Sequence, residues 1–154
     1  VKLIGANGNE FELTVAGYQF PNIEDDRWDS NWLHVAIDVR TDNGSWTSTD
    51  PSLLTSDVER LASWLDSVAA DRTDVSEISF LEPNLSFGLH SQAGDTLTIR
   101  VWFELESRPA WAEKRFVGDR DFFIDIESTS GDIARASKDL RQQRQEFPPR
   151  AGVN

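Results

Sequence analysis

The chain of 154 residues contains no cysteine and no methionine, and has one tyrosine and only two histidines. Without cysteine there are no disulfides and no thiolate chemistry, which fits a reducing compartment. Without thiolates or a histidine pair at ligand spacing, a tetrahedral zinc site is not expected. No apolar run approaches the ~20 residues that a membrane span requires. The opening V-K-L-I-G lacks the basic and then extended apolar layout of a signal peptide, so a cytoplasmic location is the expectation. Positive charge is also scarce: 15 Lys+Arg stand against 27 Asp+Glu, a net charge of −12. That balance repels phosphates, which argues against direct nucleic-acid or anionic-membrane binding. It suits a basic partner, whose encounter it would speed, and it equally suits simple solubility.

Motifs of catalysis are missing as well. There is no G-x-S-x-G, no G-x-x-x-x-G-K-[ST] and no G-x-G-x-x-G. His34 falls on the outward phase of a strand pattern and His90 at a strand end, so each reads as a surface group rather than a base. The acidic run I-E-D-D-R-W-D-S-N-W-L (23–33) is tested against a calcium loop and fails. Counting from Asp25 puts Arg27 at the third ligand position, and counting from Asp26 puts Trp28 there. A glycosidase needs only two well-placed carboxylates, for which Glu82, Glu104 and Asp125 are the positional candidates. No catalytic residue, cofactor or metal is therefore expected.

What is present reads as one domain over residues 1–150, followed by a loose tail at 151–154. Phe11, Leu13 and Val15, then Leu33, Val35, Ile37 and Val39, then Leu97, Ile99, Val101, Phe103 and Leu105 alternate with polar or outward residues. This period of two belongs to strands with one buried face. Ile78–Leu81, Leu85–Leu89 and Phe122–Ile126 add three shorter strands. Asn7-Gly8 and Asn43-Gly44 predict type I′ hairpin turns, with further turns at 82–84 and 92–95. Residues 55–70 switch to helical period, with Ser56 and Glu59 as a capping box and Val58, Leu61, Ala62, Leu65 and Val68 as the apolar stripe. Residues 131–147 form a second helix with Ser130 as N-cap and Pro148-Pro149 as its stop. Its stripe of Ile133, Ala136 and Leu140 is thin, so it should lie on the surface of the sheet. The expected fold is α+β: a mainly antiparallel sheet built from hairpins, able to curl partly into a barrel, with two helices packed on it. No internal sequence repeat is evident.

Six tryptophans are many for this length. Trp64 sits beside the first helical stripe and reads as core, and Trp32 is expected to reach the core. Trp102 is out of phase with its strand. Trp28 and Trp111 fall in loops, where tryptophan is an effective interface anchor, although it can also fold back as a lid. Glu24, Asp25, Asp26, Trp28, Asp29 and Trp111 are therefore the candidate partner-binding residues. Exposed tryptophans leave open a small ligand- or carbohydrate-binding β domain, and carboxylate pairs leave open a hydrolase.

The run G-Y-Q-F-P-N-I-E-D-D-R-W-D-S-N-W-L (17–33) resembles the signature of the WapI family of bacterial immunity proteins. So do T-D-P-S-L-L-T-S-D-V-E-R-L-A-S-W-L (49–65), F-L-E-P-N-L-S-F (80–87), R-V-W-F-E-L-E (100–106) and F-P-P-R (147–150). The resemblance spans about Leu3 to Arg150. It implies an antitoxin that neutralises a cognate toxin domain in the producing cell's cytoplasm, by binding and not by catalysis. The toxin expected is a nuclease, whose RNA-binding surface would be basic. Immunity interfaces vary with the toxin, so a stretch shared by the family points to architecture as much as to recognition. The resemblance carries no residue-level map of a site and does not fix the oligomeric state.

Overall fold

The computed structural model describes residues 1–71, 76–112 and 120–150; the tail expected at 151–154 lies outside them. Strands β1 (Lys2–Ile4), β2 (Glu10–Tyr18), β3 (Trp32–Thr41) and β4 (Gly44–Leu54) form one antiparallel meander, which helix α1 (Thr55–Ala69) follows. Strands β5 (Glu77–Ser79), β6 (Leu85–Ala93), β7 (Thr96–Phe103) and β8 (Phe123–Thr129) form a second, followed by α2 (Ser130–Glu146). The class is α+β, as expected. The topology of four strands and a helix occurs twice, although the sequence shows no repeat. Each half opens on a three-residue strand and a nine-residue strand, and each nine-residue strand carries a bulge, at Ala16 and at His90.

The alternating residues face inward. Phe11, Leu13 and Val15 of β2, Leu33 to Val39 of β3, and Leu97 to Phe103 of β7 are buried at every second position. The two sheets meet through aromatic edges, with Phe11 5.7 Å from Phe87 and 6.1 Å from Phe103 between ring centroids. At one margin the β1–β2 turn reaches β8: Ala6 N–H donates to the Glu127 carbonyl, and the side-chain amides of Asn7 and Asn9 both donate to the Asp125 carbonyl. From β4, Trp46 Nε1 donates across to the Ser107 carbonyl at 2.9 Å.

The first helix begins at Thr55, two residues earlier than a Ser56 cap would require, and the acid that caps it is Asp57. Its Oδ2 accepts from Leu54 N–H at 3.0 Å, and its Oδ1 binds Arg60 at 2.8 Å. Leucine has no acceptor to return the bond, so only half of a reciprocal box exists. The second helix is capped by Thr129, whose Oγ1 accepts from Asp132 N–H, and not by Ser130. The thin stripe of α2 does not lie flat on a sheet. Its main neighbour is α1, because Ala62, Ala136 and Ser137 are small enough for close approach, and Ser137 Oγ donates to the Ala62 carbonyl at 2.9 Å. Arg141 then ties Glu59 and Asp66 of α1 to α2.

The hairpins form where expected but with other turns. Only the glycines take positive φ, +86° at Gly8 and +143° at Gly44, whereas type I′ would need the asparagines to do so too. Leu105 does not continue β7. It turns out at φ +50° into a single 3-10 turn, Leu105–Ser107, after Phe103 fills the last inward position.

The cap assignments are separable by substitution. Asp57→Ala should cost about 1–2 kcal/mol and Ser56→Ala less than about 0.5 kcal/mol in urea unfolding. A larger cost at Ser56 would restore the alternative cap.

Candidate functional site

The chain between β2 and β3 is held from three directions. Asp26 is its internal brace: Oδ1 accepts from the N–H groups of Trp28 and Asp29 at 2.8 and 2.7 Å, and its carbonyl accepts from Ser30. The two amide donors hold the Asp26 carboxyl below the usual carboxylate range. Asn31, fully buried, is the anchor. Its Nδ2 donates to the Arg27 carbonyl, and its Oδ1 accepts from Thr55 Oγ1 at the start of α1 and from Arg150 N–H, both at 2.9 Å. From outside, the Arg150 guanidinium donates to the carbonyls of Phe20, Pro21 and Ile23 and lies 3.6 Å from the Tyr18 ring centroid. The strings G-Y-Q-F-P…D-S-N-W-L and F-P-P-R are thus two halves of one clasp.

The six candidate residues separate within this frame. Asp26 is architectural. Glu24, Asp25 and Trp28 are exposed, Trp28 at 51% with only the guanidinium of neighbouring Arg27 over its ring. Asp29 opens the one-turn 3-10 helix Asp29–Asn31 and lines a cleft between the two sheets. Trp111 is elsewhere: it folds back edge-on to Trp46 and Phe122 at 6.0 and 5.6 Å and lies against Gly44, still 53% exposed.

The cleft beside Asp29 has a volume of about 490 Å³. Gln19, Phe20, Asp29, Trp32, Asp50 and Pro51 come from the first half, and Glu82, Asn84, Leu105 and Glu106 from the second. Trp32 is therefore a wall of this cleft and not a core residue, because the β3 side chains that face the core are Leu33, Val35, Ile37 and Val39. Among the described residues four carboxylates line the cleft and no cationic side chain does. Asp50 Oδ2 is withdrawn from solvent without a hydrogen-bond partner, and Glu106 has only the Asn84 amide at 3.3 Å. Sequence reasoning missed Asp50, Glu106 and the cleft itself. Asp50 sits at an ordinary polar position of an edge strand, and Glu106 joins it only through the turn at Leu105.

A second cleft of about 450 Å³ is lined by Trp46, Trp111, Asp42 and Asp125 among others. It has the lining a sugar site would want, but several of its polar groups are bonded internally. Asn7 and Asn9 donate to Asp125, and the Asp125 carboxylate is held by Arg100 at 2.7 and 2.8 Å. The positional candidates for hydrolysis are not gathered: Glu82 lines the first cleft, Asp125 the second, and Glu104 is buried and lines neither. His90 is the exposed bulge residue of β6, and His34 faces outward on β3. Among the described residues no group of three or more His, Asp or Glu side chains is placed to hold a metal. No helix among them is long and apolar enough to cross a membrane.

The clasp yields two expected outcomes. Asn31→Ala should cost about 2–3 kcal/mol in urea unfolding, since it orphans buried donors, whereas Asp25→Ala should stay within about 0.5 kcal/mol. Asp26 has a lowered folded pKa, so its stabilisation is present above the ordinary Asp value and is lost as pH falls through the lowered one. The stability gap between the protein and Asp26→Ala should therefore narrow as pH drops below about 4; a constant gap in pH-dependent unfolding would refute that role.

No individually curated protein matches the chain. A family model does, over residues 2–148, which takes in the loop, both sheets, both helices and every residue lining the first cleft. The chain belongs to the immunity protein WapI-like family.

Proposed function

We propose that the protein is an antitoxin that binds a cognate toxin domain in the cytoplasm of the producing cell and blocks it by stoichiometric occlusion. The observation that carries this reading is the family match across 2–148. The toxin is a basic domain, a nuclease by its expected chemistry. A protein of net charge −12 complements the cationic surface that binds RNA, and opposite fields raise the encounter rate. Inhibition of this kind needs a surface and not a reaction, and the clefts offer carboxylates and aromatic walls suited to contact with a basic protein.

Co-expression with the toxin domain encoded by the adjacent gene tests the reading: growth should be rescued and a one-to-one complex recovered. Persistent toxicity with no complex would reject it for that pair. Steering is tested separately. Glu24→Lys with Asp25→Lys, which leaves the Asp26 brace intact, should lower the association rate about tenfold at low salt and less at high salt. An unchanged rate at low salt would remove these two residues from the approach surface.

A further inference from the structure

The protein uses its own arginines in a recurring way. Arg100 makes a two-pronged contact with Asp125 and lies 3.8 Å from the Phe123 ring centroid. Arg120 binds Glu77 at 2.9 Å and lies 3.7 Å from the Trp102 centroid. Each corner of an aromatic face and a carboxylate is filled by a guanidinium, which can stack and fork at once as an ammonium cannot. The inter-sheet cleft presents the same parts, with Phe20 and Trp32 for a face and Asp29, Asp50, Glu82 and Glu106 for acceptors, but among the described residues no basic side chain lines it.

None of these four carboxylates has an ion-pair partner among the described residues, and Asp50 Oδ2 is out of water with no donor. A cation that enters a cleft walled by carboxylates and aromatic rings is attracted by the acids and supplies the donor that Asp50 Oδ2 lacks. The volume of about 490 Å³ exceeds the needs of a single long side chain and leaves room for the flanking backbone.

We infer that this cleft is the docking point for an arginine side chain projected from the protein partner, its guanidinium against Trp32 and Phe20 and its N–H groups on Asp50 and Glu106. The immunity reading is relied on only to make that partner a protein. The contact is a candidate hot spot, since a charged anchor in a walled pocket concentrates binding energy.

The test uses the free protein with the peptides acetyl-Gly-Arg-Gly-amide and its citrulline counterpart, which has nearly the same shape without the charge. Followed by NMR, the arginine peptide should shift the Trp32 indole and the Asp50 and Glu106 amides selectively. It should bind at least about tenfold more tightly than the citrulline peptide. Asp50→Asn with Glu106→Gln should abolish the shifts while the rest of the spectrum shows an intact fold. Shifts spread over the acidic surface, or equal binding of the two peptides, would overturn the inference. Tighter binding of spermidine than of the arginine peptide would also overturn it, by making the cleft a site for a diffusible cation. Failure here would leave the co-expression result standing, and failure of co-expression would leave the cleft's preference measurable.

Discussion

Asn31 is the side chain on which the loop between β2 and β3, and with it the inter-sheet cleft, depends. It is fully buried, and its amide joins the loop before β3, the first turn of α1 and the backbone at Arg150. These three segments are distant in sequence, and each presents polar backbone that would be costly to bury unpaired. A buried amide that satisfies all three fixes where the loop can lie. The position of Asp29, and so one wall of the inter-sheet cleft, follows from it. The other wall depends on Leu105, where the chain leaves β7 and brings Glu106 into the lining of the cleft.

The acidity of the chain is distributed unevenly. Glu59 and Asp66 are matched by Arg141, Glu77 by Arg120, Asp121 by Arg108, Asp125 by Arg100 and Asp132 by Arg135. Such exposed pairs contribute little stability each. They do neutralise part of the helices and of the outer face of the second sheet locally, whereas Glu24, Asp25 and the carboxylates of the cleft have no ion-pair partner among the described residues. Acids left unmatched in this way would be open to a basic partner.

Much of the fold was legible in the sequence because burial leaves a periodic trace. The alternations through Phe11–Val15, Leu33–Val39 and Leu97–Phe103, and the stripe from Val58 to Val68, all face the core as read. Local chemistry that several neighbours could serve was less legible. The caps moved by a residue or more because Asp57 and Thr129 are as able as Ser56 and Ser130, and packing decided among them. The site was legible only in part. Asp26 and Trp28 stand out in an unusual string, yet one is a brace and the other is exposed beyond the cleft. Asp50 and Glu106 are plain in sequence and acquire meaning only when two meanders face each other. The family signature points to architecture as much as to recognition, and the clasp by Asn31 and Arg150 supplies the physical reason for the architectural part.

The central claim is that the partner meets the inter-sheet cleft while the Asp26–Asn31 brace holds it open from within. Hydrogen–deuterium exchange on the chain, free and bound to the toxin domain that co-expression identifies as its partner, tests this most directly. The account predicts new protection in residues 48–51, 81–84 and 104–107, which supply the cleft walls. Protection confined to the outer faces of the sheets or to α1 and α2, with those three segments unchanged, would contradict it.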